Sequence, residues 1–194
     1  MKTFEVKGTA RAAVGKKETK KLRAEGKVPC VLYGGGEVVH FEAEAAEFRH
    51  VIYTPSVYLI NIEIGGKKYR ASMQDIQFHP VTDEIMHIDF LQVVEDKPLK
   101  INIPVALTGF AKGIQKGGRL KTNLRVLRVK GLAKDLPDTI NIDVTELGLG
   151  ESVRVGDVQV DGLEILNNKS VPVASVVITR AARAALTAAA KGGN

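Results

Sequence analysis

The chain has 194 residues, 44% of them hydrophobic and 26% charged, with a net charge of +6. That length allows one or two domains with full cores, and that composition excludes a disordered chain. The single cysteine, Cys30, excludes an internal disulfide and a multi-thiolate metal site and fits a reducing cytosol.

The first residues alternate and carry no apolar h-region, and no apolar run reaches the length of a membrane span. The expectation is a cytoplasmic protein with no membrane partner. Aromatic residues make up 5% and tryptophan is absent, which argues against a stacking platform for single-stranded bases. The charge is unevenly placed. Residues 1–36 hold nine Lys or Arg against three Asp or Glu, so the whole excess lies there. A field concentrated in this way points to an anionic partner.

In chain order, residues 3–7 alternate as a strand. Residues 16–25 are strong helix formers, with Gly26 where a C-terminal cap falls. Lys17, Lys20, Lys21 and Ala24 share one face of that helix by the three-and-four spacing, and Leu22 and Ala24 can pack. Lysines crowded without a compensating glutamate repel one another, which favours a functional basic face over a merely solvated one. Val28-Pro29 ends the helix and starts a strand, residues 30–34, closed by Gly34, Gly35 and Gly36. The glycines lack a GK[ST] ending and lead into no helix, so they read as a hairpin turn and not as a phosphate loop.

Residues 43–52 read as a helix with Ala46, Phe48, Val51 and Ile52 as anchors, ended by Pro55. Strands flank Gly65-Gly66 as a hairpin. Residues 85–93 alternate, with Ile85, His87, Asp89 and Leu91 on one face and Met86, Ile88 and Phe90 on the other. A boundary is expected near 95–98, giving domains 1–94 and 95–178. In the second, residues 99–107 form a strand whose proline favours an edge position. Residues 109–120 form a long basic loop with Lys112, Lys116 and Arg119, and Lys121 follows. Short strands then alternate with turns to residue 178. The alanine-rich residues 179–194 are expected to be a frayed helix or flexible tail.

His79, His87 and Asp89 are the only titratable cluster suggestive of catalysis or a metal. A zinc site needs a closed set of ligands and nucleophilic catalysis needs a serine or cysteine held by the histidine. Neither pattern is present, so no enzyme, metal or cofactor is expected. A surface polar pair, a hydrogen-bonded core edge and a contact to RNA base edges or 2′-hydroxyls all remain open for His87 and Asp89. Tyr33 at a strand end reads first as an ordinary half-buried tyrosine. Gln74 and Gln77 have amides suited to base edges, or simply to solvent.

Three blocks then carry a resemblance: Arg11-x-x-x-Gly15-Lys16, Lys20-Lys21-Leu22-Arg23-Ala24-x-Gly26-Lys27-Val28-Pro29, and Leu32-Tyr33-Gly34-Gly35. With Gln74 to Pro80 and His87 to Phe90 they resemble the bacterial large-subunit ribosomal protein twenty-five family. The pieces Val129 to Leu132, Leu136 to Val144 and Gly150 to Val155 resemble its longer branch, often called general stress protein Ctc. The resemblance implies a mostly β fold with short helices (α+β). It comprises a small N-terminal β-barrel similar to a tRNA-synthetase anticodon-binding domain, followed by an all-β domain. It also implies a structural protein of the large subunit, monomeric when free, that binds 5S rRNA at non-Watson–Crick pairs with a widened minor groove. Contacts to neighbouring ribosomal proteins would come through the second domain.

Matched by position, the resemblance places RNA contacts on Arg11, Lys16, Lys20, Lys21, Arg23, Tyr33, Gln74, Gln77, His87 and Asp89. Phe78 stands where many members carry a basic residue, and Lys20-Lys21 replaces a common arginine pair, losing the bidentate fork. The alternative is a non-ribosomal module that binds tRNA or stress RNA.

Overall fold

The structure, a computed structural model, describes residues 2–11, 13–94, 97–180 and 182–184. It divides into two compact units, Met1–Ile101 with Gly131–Asp138, and Asn102–Lys130 with Thr139–Asn194.

The first unit is a closed barrel. Its elements are β1 (Lys2–Ala10), α1 (Lys16–Ala24), β2 (Lys27–Tyr33), β3 (Val39–Glu44), α2 (Ala45–Tyr53), β4 (Tyr58–Ile64), β5 (Lys67–Phe78) and β6 (Ile85–Gln92). The strand order is β1-β3-β2-β6-β5-β4, and a parallel β1–β4 pairing closes the ring. Closure removes the exposed edges that an open sheet would present. Alternation sends Val28, Cys30 and Leu32 of β2, Ile60, Ile62 and Ile64 of β4, and Ile88 and Phe90 of β6 into one core. Phe41 and Phe48 flank Phe90 there, with ring centroids 5.7 and 5.9 Å from it. Truncating any of these buried rings to alanine would cost roughly 3–5 kcal/mol.

The glycine triplet is a hairpin turn, as its residues suggest: β2 and β3 pair antiparallel across it, and Gly34 and Gly36 adopt φ of 100° and 112°. Val28 and Pro29 lie at the start of β2, as expected, and the strand begins at Lys27. α2 starts at Ala45, because residues 43 and 44 still pair in β3. It sends Phe48 and Val51 to the core and leaves Ala46 exposed. It stops at Thr54, held extended (ψ 135°) by the following Pro55.

The second unit contains two sheets. β7 (Leu99–Thr108), β9 (Val126–Gly131), β10 (Ile140–Asp143) and β12 (Glu164–Ile165) are ordered β10-β7-β9-β12, with Leu99–Ile101 of β7 and Gly131 of β9 belonging to the first unit. β8 (Gly118–Thr122), β11 (Ser152–Arg154) and β13 (Pro172–Ile178) are ordered β11-β13-β8. A short α3 (Lys112–Gln115) precedes β8. Two expectations are corrected here. β7 is an interior strand despite Pro104, because its ladder with β10 starts at Val105, just after the proline. Residues 109–120 are not a loop: α3 and the start of β8 occupy them, and Leu120 packs on the core of Ala111, Val144, Leu147, Ala174 and Val176.

The start of the expected tail is docked. Thr179 Oγ1 donates to Gly117 O at 2.7 Å and accepts from Ala182 N at 3.2 Å, and Ala182 is buried. Residues 185–194 lie outside the described residues.

Candidate nucleic-acid interface

Three barrel strands, β2, β6 and β5, place their outward residues in rows. Gln77 stands opposite His87, and Asp75 opposite Asp89. Val31 of β2 flanks Asp89 on its other side, and His40 of β3 continues that row. His87 Nδ1 lies 2.8 Å from Asp89 Oδ1, and both side chains are 29% exposed. The pairing holds Nδ1 toward the carboxylate and leaves Nε2 facing outward. Tyr33 ends β2 near this group: burial raises its phenol above its ordinary value, and Asp89 and then Asp75 add to the rise.

Two β-bulges bracket the face. The β5–β6 register passes from Met73–Phe90 to Asp75–Asp89, so Gln74 is the extra residue on β5. It passes again from Gln77–His87 to Phe78–Ile85, so Met86 is the extra residue on β6. Bulges bend a strand and re-aim side chains, and each leaves an unmatched backbone group. A side chain is engaged at each bulge, and at Met86 it binds the bulge's own carbonyl. Gln74 Nε2 donates to Lys100 O at 3.0 Å. Arg23 donates to Met86 O from Nε at 3.1 Å and from Nη2 at 2.9 Å.

That second contact ties α1 to β6, one residue from His87. The packed face of α1 is Thr19, Leu22 and Arg23, all partly buried at the three-and-four spacing. Ala24, expected to pack, is exposed. Lys16, Lys17, Lys20 and Lys21 are left exposed. Lys16 and Lys17 sit in the first turn, where the positive end of the helix dipole disfavours cations. A local rule is broken there, as happens at functional sites. Lys27, by contrast, is bound within the barrel: Glu42 Oε1 lies 2.7 Å from its Nζ, and that hydrogen bond raises its pKa.

Arg11 follows β1 and is half-buried. Its backbone N–H donates to His40 O at 2.9 Å and its Nη2 to Ala13 O at 3.3 Å. Cys30 lies within electrostatic reach of both Arg11 and Asp89. Burial pushes its thiol up, Arg11 opposes and Asp89 adds.

The structure thus brings Tyr33, Gln77, His87 and Asp89 onto one face and sets Arg23 at its edge. Lys16, Lys20 and Lys21 project from the helix that Arg23 anchors. Gln74 is diverted to Lys100, which its place in an alternating strand does not reveal. Nothing in the sequence singles out Asp75; its position directly across from Asp89 depends on the bulge at Gln74. Opposed carboxylates repel phosphates and accept from amino and hydroxyl donors. Phe78 is 42% exposed at the end of the face. Among the described residues no group of three or more His, Cys, Asp or Glu could hold a metal ion. Nor is any helix among them long and apolar enough to cross a membrane.

A model described as the Ribosomal L25p family matches residues 6–90, and one described as Ribosomal protein TL5, C-terminal domain, matches residues 98–180. The large ribosomal subunit protein bL25 of Bacteroides thetaiotaomicron is 45% identical over 196 residues, covering 98% of this chain and all of that protein. The bL25 protein of Porphyromonas gingivalis is 46% identical over 187 residues, with 95% and 97% covered. That of Cytophaga hutchinsonii is 43% identical over 191 residues, with 98% and 100% covered. The chain is a structural ribosomal protein acting in the cytoplasm, not an enzyme. It belongs to the bL25 family, in the two-domain form with a TL5-type C-terminal domain.

Proposed function

We propose that this chain is a component of the large ribosomal subunit that binds 5S rRNA through residues 1–94, and that it is a monomer when free. Residues 95–178 form its second domain in this reading, with neighbouring ribosomal proteins as candidate contacts. The observation that carries the reading is the Arg23–Met86 tether, which fixes a lysine-bearing helix beside a face of hydrogen-bonding side chains.

The two parts have different chemistry. Lys16, Lys20 and Lys21, with Arg11, neutralise phosphates and set the register of the protein on the RNA. Gln77, His87 and Asp89 meet base edges and 2′-hydroxyls in a wide minor groove. Carboxylates suit amino and hydroxyl donors and reject phosphate, so the RNA is oriented with its backbone over α1 and its groove over β5 and β6. Tyr33 packs on sugar at the rim. Arg23 acts mainly by positioning α1, and Gln74 through its hold on Lys100.

The test is binding of the full chain to purified 5S rRNA. If about four to six phosphates are neutralised, log affinity falls against log salt with a slope of about −3 to −5. A flat response would remove the electrostatic part. Asp89→Ala should weaken 5S binding more than binding to a random duplex RNA, and equal loss on both would remove its reading role. Sedimentation with large subunits at moderate salt separates this reading from a tRNA or stress-RNA binder.

A further inference from the structure

The outer face of the second unit's three-stranded sheet carries cations that the reading above does not use. β8 is an edge strand paired only with β13, with Lys121 opposite Ser175, Arg119 opposite Val177 and Gly118 opposite Ile178. Ser152 of β11 extends the Lys121–Ser175 row. Leu120 and Val176 turn the other way, into the core. Arg119 and Lys121 are therefore forced outward together, about 7 Å apart along the strand. Lys116 and Arg180 lie at the same end of the pair, where Thr179 Oγ1 is bound to Gly117 O, and both are exposed. Among the described residues the side chains of Lys116, Arg119, Lys121 and Arg180 have no ion pair or hydrogen bond.

Among the described residues no acid of this unit forms an ion pair with these four cations. Glu146 is bound to Lys112. Glu151 folds back and accepts from Gly148 N at 2.7 Å. Asp157 accepts from Arg154 N at 2.9 Å. Beside the cations stand the hydroxyls of Ser152 and Ser175, the latter accepting from Asn123 Nδ2 at 3.1 Å. A row of cations on a flat strand, next to hydroxyl and amide groups and with no exposed aromatic ring in the row, has the chemistry that grips a sugar-phosphate backbone without reading bases.

We propose that the β8–β13 face is a second RNA-binding surface, independent of the 5S-directed one. It takes the phosphodiester backbone of a structured RNA strand, with Arg119 and Lys121 on successive phosphates and Lys116 and Arg180 extending the track. The surface is sequence-indifferent and anchors the second domain on ribosomal RNA.

The experiment compares the full wild-type chain with Arg119→Gln/Lys121→Gln in rebinding to large subunits depleted of this protein, across a salt series. Both side chains are exposed, so thermal melting of the variant should match wild type. A second variant, Arg119→Lys, keeps charge and should retain binding. The expected result is a roughly tenfold weaker rebinding at moderate salt, with the log–log salt slope shallower by about 1.5, the value for two lost phosphate contacts. An unchanged affinity and slope would overturn the proposal. Weaker rebinding with an unchanged slope would also overturn it, because losing two phosphate contacts must make the slope shallower. Purified 5S rRNA with Lys20→Ala/Lys21→Ala tests the other surface separately, so the two can fail independently.

Discussion

Arg23 offers the sharpest test of how the interface is built. Two side-chain nitrogens share one acceptor, Met86 O, so they count as one forked contact and not as two bonds. A hydrogen bond from a charged donor contributes roughly 1.5–3 kcal/mol. The side chain is only partly buried and water can replace it, which selects the low end, about 1.5 kcal/mol. Arg23→Ala should therefore lower the unfolding free energy by about 1.5 kcal/mol, a fall in Tm of roughly 3–6 °C for a chain of this size. Arg23→Lys keeps the charge but loses the planar fork, so its stability should fall nearly as far. Urea unfolding followed by circular dichroism measures both. In RNA binding, both variants should lose affinity with almost no change in salt slope, because α1 is held less firmly but keeps all its phosphate-binding lysines. If Arg23→Lys is as stable as wild type and Arg23→Ala loses one unit of salt slope, Arg23 is a free phosphate binder and the strut argument fails.

Further predictions concern the barrel and the second unit. Burial raises the Cys30 thiol, so the folded state holds its proton longer than the unfolded one. That contribution is intact below the ordinary thiol value of 9.0 and is lost as pH rises above it. Thiol labelling should accordingly be slow in the native protein and fast in denaturant, and Cys30→Ala should flatten the alkaline loss of stability. A Cβ on Gly8 would lie 2.6 Å from Cδ2 of the fully buried Phe41. Gly8→Ala should then cost about 1–3 kcal/mol by overpacking, measured by thermal melting. Gly109 adopts φ +84°, and a Cβ there would meet Thr145 Oγ1 at 2.1 Å. Gly109→Ala should destabilise the second unit by about 2 kcal/mol, and a melt indistinguishable from wild type would contradict the strain.

The hydrogen bonds of Thr145 hold the Asp143 carboxyl below its ordinary value, the side-chain hydroxyl first and the backbone N–H second. That contribution is present above the unfolded value and disappears as pH falls through the folded one. Asp143→Asn should remove this part of the acid sensitivity of the second unit, seen as a smaller drop in its melting temperature on acidification.

By itself the sequence pointed to the barrel's strands, because the alternation of Ile60, Ile62 and Ile64 with Asn61 and Glu63, and of Ile88 and Phe90 with His87 and Asp89, favours burying one face. It determined the hairpins too, since glycine pairs and triplets at 34–36 and 65–66 admit the left-handed backbone that tight turns require. The concentration of charge in residues 1–36 was equally plain, and so was the sharing of one strand face by His87 and Asp89. Tertiary structure alone decided the rest, because it depends on partners far apart in the chain. A bulge is an offset between two strands and leaves no mark in either, so Gln74's diversion, Asp75's place opposite Asp89 and the unmatched carbonyl of Met86 were hidden. Arg23 looked like one more cation in a basic run until that carbonyl, 63 residues away, claimed it. For the same reason residues 109–120 resembled a loop: β8 is a strand only because β13 pairs with it, and that pairing turns a scattered basic run into a face.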